Sequence, residues 1–151
     1  MIKHLTALVL GFGSTAVAAD LKSTPWISDC DAPYCLFQRT LEFDDGSAFA
    51  VFEVLINIET GNASLVTTAP LGVAIEPGVK LSTGNATWQM DVKVCHSDGC
   101  RATAELNSTE FGDLLQQSQL DIRYVPFGGD QPVSASLPID QLITAISQAQ
   151  P

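Results

Sequence analysis

The chain has 151 residues, 46% of them hydrophobic, and its 17 Asp and Glu against 7 Lys and Arg leave a formal charge of −10. Nucleic acid requires clustered cations that displace counterions, and an anionic lipid face requires the same sign, so this acidic composition argues against both partners. Length and apolar content instead suit one domain with its own core.

Residues 1 to 19 carry the three parts of a secretory signal. Lys3 and His4 give a polar start, Leu5 to Val17 an apolar run, and Val17-Ala18-Ala19 the small residues for a cut before Asp20. Gly11, Gly13, Ser14 and Thr15 interrupt the run, which falls short of the roughly 20 apolar residues that cross a bilayer. No cysteine lies near the cut to carry a lipid. The expected mature chain is therefore residues 20 to 151, a single domain with no membrane span, slightly more acidic through loss of Lys3.

Beyond the signal the pattern is short β-type runs separated by turn residues. Cys35 to Phe43 and Ala48 to Ile58 flank Asp44-Asp45-Gly46. In the second run Ala48, Ala50, Phe52, Val54, Ile56 and Ile58 share one face, with Glu53 and Asn57 opposite. Successive strand side chains point to opposite sides, so this alternation predicts a half-buried antiparallel strand. Thr60-Gly61-Asn62 turns the chain into Ala63 to Thr67, and strands are also predicted at Leu71 to Ile75 and Val79 to Ser82, around a Glu76-Pro77-Gly78 turn. Trp88, Met90, Val92 and Val94 alternate with Gln89, Asp91 and Lys93, which predicts one continuous amphipathic strand. Ala102 to Leu106, Leu120 to Tyr124 and Val133 to Leu137 alternate likewise, the last two on either side of a Gly128-Gly129-Asp130 turn. Asn107 and Glu110 form a capping box ahead of Phe111, Leu114 and Leu115, predicting a helix that runs to about Gln117. Ile139, Leu142, Ile143, Ile146 and Ala149 recur at helical spacing near the end. The expected fold class is mostly β: an antiparallel β-sandwich or barrel-like domain with a short internal helix and a C-terminal helix laid on the sheet.

The four cysteines form two C-x4-C pairs, Cys30/Cys35 and Cys95/Cys100, and permit three connectivities. In an oxidising compartment each pair suits a hairpin whose strands bring the two sulfurs within bridging distance. A local bridge contributes about 2 kcal/mol and a crossed one over about 65 residues about 4, so loop entropy does not choose; hairpin geometry favours local pairing. A redox centre is the rival reading, although it normally uses C-x-x-C at a helix N-terminus, and zinc competes with oxidation for the same thiols. His96, the one histidine left after signal removal, falls in a turn between Cys95 and Cys100, a poor setting for a nucleophilic triad. Two carboxylates could still perform acid and base chemistry on a glycan or peptide, but the scattered acids single out no pair. No cofactor or metal site is implied. Tyr34, Phe37 and Phe127 are the aromatics expected as possible partner contacts.

Trp26-Ile27-Ser28-Asp29-Cys30, Cys35-Leu36-Phe37-Gln38, Pro70-Leu71-Gly72-Val73-Ala74-Ile75 with Pro77-Gly78-Val79, and Gly99-Cys100-Arg101-Ala102 occur in that order. On these motifs, between residues 26 and 146, the chain resembles the invasion-associated locus B family of exported bacterial proteins. The resemblance implies a periplasmic or secreted, mostly β domain of a kind linked in one pathogen to host-cell invasion, and it brings no catalytic residues with it. Family members tend to show Ser-Leu-x-Gly-Phe before the last helix, where this chain has Ser136-Leu137-Pro138-Ile139-Asp140. The function expected is a non-enzymatic, disulfide-stapled binding protein of the cell envelope, its partner an unidentified envelope or host protein. A hydrolase with paired carboxylates is the alternative.

Overall fold

Tyr34–Glu42 (β3), Ala48–Asn57 (β4) and Ala63–Ala69 (β5) alternate buried and partly exposed side chains, and strands so patterned lay one face on a core. They form the centre of the larger of two sheets in a computed structural model describing residues 21–149. The expected signal and its cut before Asp20 lie outside the described residues. Gly99–Leu106 (β9) and Val92–His96 (β8) extend this sheet beyond β5. Lys22–Ser23 (β1) and Ile27–Asp31 (β2) pair with the opposite edge of β3, completing seven strands, all antiparallel to their neighbours. The second sheet has four strands in the order Val133–Pro138 (β11), Gln119–Tyr124 (β10), Val79–Ser82 (β6) and Thr87–Met90 (β7). Phe37, Leu41, Phe52, Val54 and Leu65 from the first sheet share one core with Val79, Leu81, Leu120, Ile122 and Leu137 from the second. Each such side chain stabilises the fold by about 1.5–3 kcal/mol when fully removed from water. The architecture is an open two-sheet sandwich, and no barrel closes.

A polar contact also ties the two sheets. Leu41 pairs with Ala50 and Glu42 with Ala48, so Phe49 is the extra residue of a β-bulge. The Tyr124 hydroxyl, from the other sheet, donates to the Phe49 carbonyl at 2.9 Å, and the two rings lie 5.0 Å apart.

Two predicted strands are corrected. Leu71 to Ile75 is not a strand: Gly72 has φ +94° and a turn occupies 71–72, so only Val73 pairs, in an isolated bridge with Pro126. Trp88 to Val94 is two strands in two sheets, separated at Asp91, where the chain crosses the corner of the sandwich. The register shifts between Val92 and Val94, and Val94 ends 42% exposed. Strand β2, in contrast, lacks any burial alternation; all five of its residues are exposed, so periodicity could not reveal it.

Both disulfides are local. Cys30 pairs with Cys35 and Cys95 with Cys100, directly opposite across their hairpins, with Cα separations of 4.0 and 3.9 Å. They occupy diagonal corners of the larger sheet. Cys35 shares a row with Ile56, Ala63 and Leu106, whereas Cys100 lies at the far end of β9. Three strand spacings of about 4.8 Å and several residues at about 3.3 Å each separate them, far beyond the roughly 4.4–6.8 Å a bridge tolerates. Crossed pairing is therefore incompatible with this sheet.

Asn107 caps the internal helix Ser108–Leu115 (α1) as the sequence predicts. Its side chain accepts from the Thr109 and Glu110 amides, and Glu110 returns the bond to the Asn107 amide. Phe111 and Leu114 are the buried side of α1. The last helix, Asp140–Ala149 (α2), packs on β2 and β3. Leu142 is fully buried there, as is Ile139 just before the helix, while Ile143 points outward at 41% exposure.

Candidate functional site

Two cross-bonded loops at one end of the sandwich form an apolar tip. Residues 70–78 join β5 to β6, and residues 125–132 join β10 to β11. The Ala74 amide donates to the Val125 carbonyl at 2.8 Å and the Phe127 amide to the Gly72 carbonyl at 2.5 Å, on either side of the Val73–Pro126 bridge. Gly78, at φ +65°, closes the first loop where a Cβ would collide with the Met90 carbonyl. Val73 is buried at 5% exposure and anchors the pair of loops. What the anchored backbone holds outward is Leu71, Ile75 and Phe127, exposed by 60%, 60% and 81%. The two loops contain acids, Glu76 and Asp130, but no Lys or Arg, so the tip has no electrostatic attraction to anionic lipid.

A second feature lies toward the opposite end. Helices α1 and α2 leave an apolar cleft of about 210 Å³ over the sheet, with Phe37 and Ile56 as its floor, Phe111 and Leu115 on one wall and Ile146 and Ala149 on the other. Ile58, half exposed, stands at its rim.

The three aromatics named from sequence are not brought together. Phe127 crowns the tip. Tyr34 is 48% exposed at the start of β3, in the row of Asn57, which is the other end of the sheet. Phe37 is 1% exposed, so only a group entering the helix cleft would meet it. Leu71 and Ile75 were hidden by an apparent strand pattern, although Pro70 and Gly72 within it signal a turn. His96 is exposed at the end of β8, opposite Gly99. Among the described residues, all four cysteines are bridged, no three His, Cys, Asp or Glu side chains gather as a metal site would need, and no helix is long and apolar enough to cross a membrane. One groove of about 320 Å³ does carry two carboxylates, Glu110 and Asp113, facing Trp88 and the β6–β7 turn. Glu110, however, is engaged by its helix cap, 2.9 Å from the Asn107 amide.

Sandwich, hairpin staples and helix-covered end define a disulfide-bonded, two-sheet β domain with an exposed apolar tip. The family model "Invasion associated locus B (IalB) protein" matches residues 26–150, and the chain belongs to that family. Its fold is similar to the crystal structure of invasion associated protein B from Bartonella henselae, with a TM-score of 0.68 at 19% identity over 82% of this chain and 89% of that one. Among curated proteins, none matches.

Proposed function

We propose that this chain is an exported, non-enzymatic binding protein of the bacterial cell envelope, acting in the periplasm or after secretion as a single domain from residue 20 to 151. Two bridged hairpins support an oxidising compartment, because cytosolic thiols are kept reduced. The observation that carries the binding reading is the tip: Leu71, Ile75 and Phe127 held outward by cross-bonded loops. Its partner is a protein of the envelope or of a host. Fully burying each of these side chains is worth about 1.5–3 kcal/mol. Association itself costs roughly 4–15 kcal/mol. Together the three supply about 5–9 kcal/mol at full burial, comparable with the lower part of that cost, so polar contacts around the rim must add to them to hold a complex.

A photoreactive amino acid placed at Phe127 in producing cells tests this, with the same substitution at Tyr34 reporting the other end of the sheet. The expected result is one defined protein adduct from position 127. Adducts from position 34 alone would move the contact surface to the opposite end. None from either position would overturn the binding role of the tip.

A further inference from the structure

Arg39 is the exception on the inner face of β3. Phe37 and Leu41 flank it there as core residues, yet Arg39 is itself only 6% exposed while carrying a guanidinium that stays charged at any working pH. Its Nε donates to the Thr24 carbonyl at 2.5 Å, and its guanidinium carbon lies 5.5 Å from the centroid of the Trp26 ring. Its Nη1 is buried without an acceptor among the described residues, and so is the indole Nε1 of Trp26. The ion pairs formed among those residues belong to Lys22, Lys93 and Arg101. Burial lowers the Arg39 pKa from its ordinary value, and the charge of Asp140 opposes that shift only in part. Arg39 and Trp26 both line an open cleft of about 440 Å³ between the segment leading into β2 and helix α2, with Gln141, Thr144 and Gln148 on its helical side.

We propose that this cleft binds the carboxylate of a small ligand beside the Arg39 guanidinium, the buried Nη1 and the Trp26 indole N–H donating to its oxygens once the lining side chains shift to admit it. The buried Nη1 of a cation and an adjacent indole N–H, both without acceptors among the described residues, are what a carboxylate satisfies. One guanidinium matches one negative charge. Asp140 places a negative charge near Arg39, so a singly charged carboxylate meets less repulsion there than a phosphate dianion, for which no second cation lines the cleft among the described residues. The neutral amide and hydroxyl groups of α2 suit the uncharged remainder of such a ligand. The free end of a short peptide and an acidic sugar both supply this chemistry.

Trp26 and Trp88 are the chain's two tryptophans, so the indole N–H resonances of labelled protein give the site and an internal control in one spectrum. N-acetyl-alanyl-alanine and glucuronic acid are titrated separately, each beside its neutral amide at matched ionic strength. The Trp26 resonance is expected to shift saturably with an acid while Trp88 stays, and the tighter acid identifies the source. Thr144→Asp and Gln148→Glu, both at exposed positions on α2, add a carboxylate to the cleft and should weaken binding about tenfold or more by like-charge repulsion. The proposal is overturned if neither acid moves Trp26, if both indoles move alike, if the amides act as well as the acids, or if the helix variants bind unchanged.

Discussion

Replacing Tyr124 by Phe removes one oxygen and keeps the ring that packs 5.0 Å from Phe49. The oxygen matters because Phe49 is the bulged residue of β4, outside the paired register, and its carbonyl accepts the Tyr124 hydroxyl inside the sandwich. Leaving a buried carbonyl without this donor should cost about 1–3 kcal/mol, well above the loss of a solvent-exposed bond. In urea the slope of unfolding should stay the same, and the midpoint should fall by roughly 0.5–1.5 M for a domain of this size. An alkaline arm adds an independent sign. Burial raises the Tyr124 pKa from its ordinary 10.0 to about 12, so the folded chain keeps a proton that the unfolded chain gives up. The stability linked to Tyr124 is thus complete below pH 10 and is lost as pH rises toward 12; Tyr124→Phe should lack that component. A midpoint change equivalent to less than about 0.3 kcal/mol, or the same alkaline loss in both proteins, would refute the account of the bulge as a polar tie between sheets.

Asn107→Ala should destabilise by about 1 kcal/mol, since it removes both cap bonds at the start of α1; thermal melts read this, and Asn107→Asp should retain most of the stability. Changing Cys95 and Cys100 together to Ala should cost about 2 kcal/mol by opening a short loop, with Cys30–Cys35 still intact by non-reducing peptide mass mapping. Phe127→Ser should leave stability within about 0.5 kcal/mol because the ring is 81% exposed, yet abolish crosslinking from a photoreactive group at Leu71.

Sequence revealed the fold wherever burial followed chemistry residue by residue. Strands β3, β4, β10 and β11 keep a period of two, and the Asn107–Glu110 reciprocity marks the start of α1. It misled where two structures share one pattern. Trp88 to Val92 alternates correctly for a strand but cannot announce that Asp91 is a corner, since both sheets turn their inner faces to the same core. Ala48 and Ile58, assigned to the buried face of β4, are instead exposed at its ends, because the bulge at Phe49 changes the facing and the turn starts at Ile58. The apolar tip was half legible: Phe127 stood out as an aromatic beside glycines, while Leu71 and Ile75 looked like strand interior. The Arg39 cleft left no trace, because a single cation on a strand becomes notable only when its burial is known, together with an Nη1 that lacks an acceptor among the described residues.

The bridges at opposite corners bear on how copies of this chain behave when crowded. Each one clasps an outermost strand, β2 or β8, to its inner neighbour near the hairpin end. An outermost strand that cannot peel away cannot be exchanged with the matching strand of another molecule, nor leave its place open for a foreign strand to dock. Oxidation thus guards both flanks of the larger sheet against swapping, and chemical reduction should release oligomers before it releases unfolded monomer.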